Sequence, residues 1–324
     1  MILSVSRRTD IPNYYSEWFI NRIREGYLYV RNPMNPHQIS KINLSPQIVD
    51  CIVFWTKNPL PMMDKLEELK DYHYYFQFTL TRYGKDIEPN LPDKRNEMIN
   101  IFRRLSSKIG NEKVIWRYDP ILFTDRYTAE YHIRAFREIA ESLRGYTEKV
   151  VISFLDLYAK TKINMKGIHL VNLEENRFSA FASSLSAIAK ENKMKIAACA
   201  EEADLAAYGI ERNCCIDKDL IEKIIGCKIS AKKDKNQRKE CGCIESVEVG
   251  SYDTCRNACK YCYANDSDEK VNSICRTYDP RSPMLCGTIT GEDKITERKV
   301  RSLKEGQISI FDLAGTEKQE RTAE

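Results

Sequence analysis

Val114-Ile-Trp-Arg-Tyr118 and Val150-Val-Ile-Ser-Phe-Leu155 bracket a run in which Ile133, Phe136, Ile139, Ala140 and Leu143 recur at helical spacing. Two β-branched and aromatic runs separated by an amphipathic helix make one strand–helix–strand unit. The alternation extends both ways. Toward the N-terminus, Tyr74-Tyr-Phe-Gln-Phe-Thr-Leu80 is a strand, and Met98, Ile101, Phe102, Leu105 and Ile109 form the helix after it, closed by Gly110. Cys51-Ile-Val-Phe-Trp55 is another strand, with a helix marked by Met62, Met63, Leu66 and Leu69. Ile2-Leu-Ser-Val-Ser6 begins the series, and Tyr15, Trp18, Phe19 and Ile23 form its helix, closed by Gly26. Toward the C-terminus, Phe178, Phe181, Leu185 and Ile188 give a helix, and Lys195-Ile-Ala-Ala-Cys199 a sixth strand.

Such alternation predicts a parallel sheet, either open and doubly wound or curled into a (β/α) barrel. The strand ends favour a barrel, partial or complete. Strand one runs into Arg7, Arg8 and Asp10, strand two into Lys57 and Asn58, strand three into Thr79 and Thr81. Strand four ends at Arg117 and Asp119, strand five at Ser153 and Asp156, strand six at Cys199, Glu201 and Glu202. Barrel enzymes build their sites from such C-terminal strand ends. The plainer alternative is that polarity resumes wherever a strand stops.

The 324 residues are 42% hydrophobic and 30% charged, an ordinary globular balance that excludes disordered and collagen-like chains. A net charge of +4, from 51 basic and 47 acidic residues, is too small to argue nucleic-acid binding from bulk electrostatics. No apolar run reaches the ~18 residues of a membrane span. The apolar start is too short for a secretory signal, so a cytoplasmic protein is expected.

Cysteine is the unusual residue. There are 12, and all but Cys51 follow residue 198. Without export a disulfide framework is not expected, and crowded cysteines point to metal or redox chemistry. Cys255-Arg-Asn-Ala-Cys259-Lys-Tyr-Cys262 sets three thiols on one loop, enough for a [4Fe–4S] cluster with one open iron; zinc would want a fourth ligand. The C-x3-C-x-aromatic-C pattern resembles the radical S-adenosylmethionine (SAM) enzymes. That resemblance implies a [4Fe–4S] cluster on Cys255, Cys259 and Cys262, SAM on the open iron, Tyr261 near the adenine, and a partial (β/α) barrel. Tyr263-Ala-Asn265, which follows, resembles the branch containing spore photoproduct lyase. In those enzymes the motif follows the first strand; here it follows six strand–helix units. A circular permutation is expected, in which Val247–Tyr252 is the strand that feeds the cysteine loop and lies beside Ile2–Ser6. Ser6-Arg-Arg-Thr-Asp10, Phe54-Trp-Thr-Lys-Asn58 and Trp116-Arg-Tyr-Asp-Pro120, together with the late cysteine region, are similar to the domain of unknown function 1848 family. No glycine-rich SAM-amine motif is evident.

Cys199, one of Cys214 and Cys215 (Cys215 being preferred), Cys241 and Cys243 would make a second site, holding an auxiliary Fe–S cluster or zinc. Alternatively some of them are small buried hydrophobes. Cys51 reads as core, and Cys227, Cys275 and Cys286 as core or surface. The four histidines have no metal spacing.

The radical-SAM resemblance implies an enzyme that generates a 5′-deoxyadenosyl radical, fed by an electron donor such as flavodoxin or ferredoxin. Arg7, Arg8, Asp10, Lys57, Arg117, Asp119 and Glu202 are the candidate catalytic residues, Tyr261, Tyr263 and Asn265 the candidate cofactor contacts. The basic residues suit an anion, unless Asp10 and Asp119 neutralise them. Lys228–Glu240 reads as a solvated basic loop, and Asp217 and Gly226 bound a short helix. Gln307-Ile-Ser-Ile-Phe311 resembles sliding-clamp docking peptides, which raises nucleic-acid repair or modification; a final packed strand is the alternative. A non-catalytic adaptor stabilised by zinc or Fe–S is the competing function. The expected organisation is a barrel core over 1–226, a cysteine-rich segment over 227–313 that completes it, and a disordered tail over 314–324.

Overall fold

The computed structural model describes residues 1–201 and 203–305. Glu202, the Gln307–Phe311 peptide and the expected tail lie outside the described residues. Eleven strands are described: β1 (Ile2–Val5), β2 (Tyr27–Asn32), β3 (Asn35–Asn43), β4 (Cys51–Thr56), β5 (Tyr74–Thr79), β6 (Val114–Ile121), β7 (Lys149–Phe154), β8 (Lys195–Cys199), β9 (Glu211–Asn213), β10 (Val247–Glu248) and β11 (Lys294–Glu297). Eight form one parallel sheet in the order β10-β1-β4-β5-β6-β7-β8-β9. All six strands read from the sequence are in it.

Period-two alternation gives the sheet two different faces. Leu3, Val5, Ile52, Phe54, Phe76, Phe78, Trp116 and Ile152 point to one face, where they pack with Trp18, Phe19, Phe102, Phe136 and Phe181 from the helices Ser16–Glu25, Glu97–Ile109, Ala129–Leu143 and Glu175–Glu191. Ile2, Val53, Tyr75, Ile115 and Val151 point to the other, against Cys215, Ile216, Ile221 and Ile244. This second face is apolar at the N-terminal ends of the strands. Two residues further along it carries Trp55, Gln77, Arg117 and Ser153. The helix ends follow local chemistry. Gly26 and Gly226 adopt left-handed φ values of 77° and 73°, and the Asp217 carboxylate accepts from the Asp219 and Leu220 amides at the start of Lys218–Ile225.

The sheet fits the expected α/β fold; β9 and β10 are its edges, and no ladder joins them among the described residues, so of the two expected forms, partial and complete, closure is not seen. Two expectations are corrected. The strand expected over Val247–Tyr252 pairs only at Val247 and Glu248, because the chain leaves the sheet at Gly250 to pass over Ser6. The helix expected from Met62 to Leu69 is one α turn, Leu60–Met63, and one 3-10 turn, Leu66–Leu69; Met62, Met63, Leu66 and Leu69 are all buried, so the apolar spacing is satisfied despite the break. A second sheet, in the order β11-β3-β2, was not legible in the sequence. Among the described residues no helix is long and apolar enough to cross a membrane.

One buried histidine has a testable consequence. His132 sits under Tyr83, Tyr118 and Phe123; its Nδ1 lies 2.8 Å from the Tyr118 hydroxyl and its Nε2 2.9 Å from the Leu122 carbonyl. Burial pushes its pKa down to about 4. The native state therefore refuses a proton that the unfolded chain takes up below its ordinary pKa near 6.5. Stability present above pH ~6.5 should fall by about 3 kcal/mol on the way to pH 4. The His132→Gln variant keeps a donor and an acceptor but does not titrate, so denaturant melts of the two proteins should differ in pH slope across that window.

Candidate functional site

The C-terminal ends of β1, β4, β5, β6, β7 and β8 open into a cavity of about 320 Å³, within the range of small-molecule sites. The Cys255–Cys262 loop forms one of its walls. Parallel pairing of β10 with β1, Leu3 to Val247 and Ser4 to Glu248, delivers the loop there. Glu248 locks the junction, accepting from Ser4 Oγ at 2.9 Å and from the Arg7 amide at 3.2 Å. At Gly250 a Cβ would stand 1.8 Å from Ser6 Oγ, so this crossing needs glycine.

The loop is held from all sides. The Tyr15 hydroxyl donates to the Thr254 carbonyl at 2.6 Å, the Lys260 amide to the Ile87 carbonyl at 2.9 Å, and the Tyr263 hydroxyl to the Arg7 carbonyl at 2.8 Å. Asn265 Nδ2 donates to the Cys255 carbonyl at 2.7 Å. Ala258 takes a left-handed φ of 55°, uncommon for a residue with a Cβ, directly before Cys259. The three thiols are free, and burial raises all of them, Cys262 to about 11 and Cys255 to about 12. Among the described residues no three His, Cys, Asp or Glu side chains are already gathered around one point as a single bound ion requires.

Asp10 and Glu88 are the buried carboxylates that organise this wall. Asp10 is 5% exposed. It caps the Ile11–Tyr14 turn through the Asn13 amide and accepts from the Lys57 amide at 2.8 Å and Asn257 Nδ2 at 3.0 Å. It therefore joins strand one, strand β4 and the cysteine loop, and it neutralises none of the arginines. Glu88 is 1% exposed and accepts from Lys57 Nζ at 2.8 Å, from Thr81 Oγ1 at 2.9 Å, and from the Tyr261 hydroxyl and Lys94 Nζ. Tyr261 receives a further bond from Lys57 Nζ at 2.7 Å. The aromatic residue of the motif is thus oriented by an ion cluster.

Elsewhere in the lining, two guanidinium groups, Arg7 and Arg117, each stand 5.2 Å from the centroid of the Trp55 ring. Arg117 Nε donates to Asp119 at 2.8 Å and Arg117 Nη1 lies 2.8 Å from Cys215 Sγ. Burial alone would lower the Arg117 pKa; Asp119 with the sulfurs of Cys215 and Cys199 offsets this and raises it. Arg7 Nη2 is buried without a hydrogen-bond partner.

Every residue expected at the site lines the cavity except three: Asn265, which braces the loop from beneath, Cys214, whose sulfur faces Gly242, and Glu202, outside the described residues. Arg117 and Asp119 form the internal ion pair considered from the sequence. Arg8 packs over Tyr252, and Arg238, in the basic loop, reaches Asp156 at the cavity rim. Trp55, Glu88, Lys94 and Asn257 were missed. The alternation that put Val53 on the inner face also put Trp55 there, so that residue was findable. Glu88 lies in a stretch without periodicity and carried no local signal.

The family model described as "Domain of unknown function (DUF1848)" matches residues 2–264, and the chain belongs to that family. No curated protein and no solved structure matches it.

The Glu88 cluster predicts a large asymmetry between carboxylates. Glu88→Ala leaves the partly buried Lys57 ammonium and the buried Lys94 amine, Thr81 and Tyr261 without their common acceptor and should cost about 3–5 kcal/mol. Glu68→Ala, which breaks the exposed pair with Arg24, should leave the midpoint of urea unfolding unchanged.

Proposed function

We propose that this member of the domain of unknown function 1848 family is a radical-SAM-like iron–sulfur enzyme whose barrel is partial and circularly permuted. The observation that supports this reading best is that Cys255, Cys259 and Cys262, from one loop, face the same cavity as the polar ends of six parallel strands. The donor set suits a cluster with one open iron: three free thiols and no fourth cysteine on the loop. The placement of β10 beside β1 puts the loop next to the first strand, although it comes late in the chain. A [4Fe–4S] cluster on these cysteines would supply, with SAM and one electron, the 5′-deoxyadenosyl radical.

The chain's own residues would position and shield that chemistry. Tyr261, clamped by Glu88 and Lys57, lines the cavity beside the cysteine loop and would stand near the adenine. Asp10 and Asn257 hold the loop at a set distance from β4. Arg7, Arg117 and Trp55 make a cationic and aromatic part of the lining, against which a planar or anionic substrate group would rest. Ser153 and Asp119 add polar contacts at the rim. Preorganisation of this kind reduces the ordering that reaction would otherwise require. In this reading flavodoxin or ferredoxin donates the electron, and nucleic acid is the first substrate class to test.

The test is 5′-deoxyadenosine formation by anaerobically reconstituted, reduced protein given SAM. The wild type should form it and Cys259→Ala should not. Reconstituted protein that holds only zinc would instead favour the non-catalytic adaptor.

A further inference from the structure

Four cysteines outside the Cys255–Cys262 loop line the same cavity. Cys199 ends β8, Cys215 follows β9, and Cys241 and Cys243 flank Gly242 after the basic loop. The sulfurs of Cys199 and Cys215 are 3.1 Å apart, and Cys243 Sγ accepts from the amide of Ile216, the residue after Cys215. All four are free thiols.

Two of the sulfurs accept N–H bonds from their surroundings. Asn213 Nδ2 donates to Cys215 Sγ at 3.1 Å, and the Ile216 amide donates to Cys243 Sγ at 3.3 Å. Arg117 Nη1 is 2.8 Å from Cys215 Sγ, and Arg7, which lines the same cavity, has a buried, unpartnered Nη2. Sulfurs that accept N–H bonds beside buried guanidinium groups are the outer environment a metal–thiolate centre requires. The Cys-Gly-Cys turn is built for close approach: a Cβ at Gly242 would stand 2.5 Å from Cys214 Sγ. Four neutral thiols packed together in a core would need neither the two cations nor the donors.

We propose that Cys199, Cys215, Cys241 and Cys243 hold a second metal–thiolate centre on the cavity wall, with Arg7 and Arg117 balancing its negative charge. Binding releases the four thiol protons to solvent and draws the sulfurs about the metal, which can be one zinc ion or an iron–sulfur cluster. The centre requires nothing of the Cys255–Cys262 loop and is independent of the reading above.

The test is metal and sulfide analysis of anaerobically purified full-length protein and two variants. The Cys241→Ser/Cys243→Ser protein should lose one centre and keep the metal of the Cys255–Cys262 loop. The triple variant Cys255→Ala/Cys259→Ala/Cys262→Ala should do the reverse. Loss of zinc without iron identifies a zinc site, and loss of iron with sulfide identifies a cluster. Metal content unchanged by the Cys241/Cys243 substitution overturns the proposal while leaving the enzyme reading standing. If that variant does not fold, native alkylation of the wild type mapped by mass spectrometry decides. Addition of a chelator should raise labelling of Cys199, Cys215, Cys241 and Cys243 together, with Cys227 as the metal-independent reference. Labelling of the four that a chelator does not change overturns the proposal.

Discussion

The two-residue parallel contact between β10 and β1 is the constraint on which the site depends. Two ladder pairs contribute little by themselves, so side chains complete the junction. Glu248 ties Ser4 and the Arg7 amide, the Val249 amide donates to the Ser4 carbonyl at 3.1 Å, and Gly250 lets the chain cross Ser6. Residues some 240 positions apart thereby become neighbours, and the Cys255–Cys262 loop is carried over the strand ends. A Cβ at position 250 or loss of the Glu248 carboxylate would act on this loop before it acted on the rest of the sheet.

Charge burial is the second organising force. Asp10, Glu88 and Arg117 are nearly inaccessible, and each is surrounded by donors or opposite charges from several elements. Ion clusters of this kind add little net stability but lose much when one partner is removed. Their use here is geometric. Glu88 fixes Tyr261, Asp10 fixes the spacing between the cysteine loop and β4, and Asp119 turns Arg117 toward Cys215. The two cysteine groups line one cavity, which Trp55 and the guanidinium groups of Arg7 and Arg117 also line.

The alternation of inner and outer residues along each strand explains how one sheet serves packing and chemistry together. Outward positions such as Phe54, Phe76 and Trp116 meet the helices. Inward positions are apolar where Ile216, Ile221 and Ile244 cover the sheet, and polar or aromatic beyond that cover. The C-terminal segment therefore covers one end of the inner face, and the other end opens into the cavity.

Much of this was legible locally. Helical spacing, glycine stops and β-branched runs are properties of neighbouring residues, and they located six strands and most of the long helices. The C-x3-C-x2-C spacing likewise marked one cysteine group as a unit before any fold was known. Tertiary structure alone decided that the sheet stays open, that Asp10 is a brace within the wall, and that Glu88 governs Tyr261. It supplied the geometry behind the preference for Cys215 over Cys214: the Cys215 sulfur meets Cys199, and the Cys214 sulfur faces Gly242. Local pattern reflects the preferences of a few successive residues. Contacts between distant segments arise only when every strand, helix and buried charge is satisfied at once.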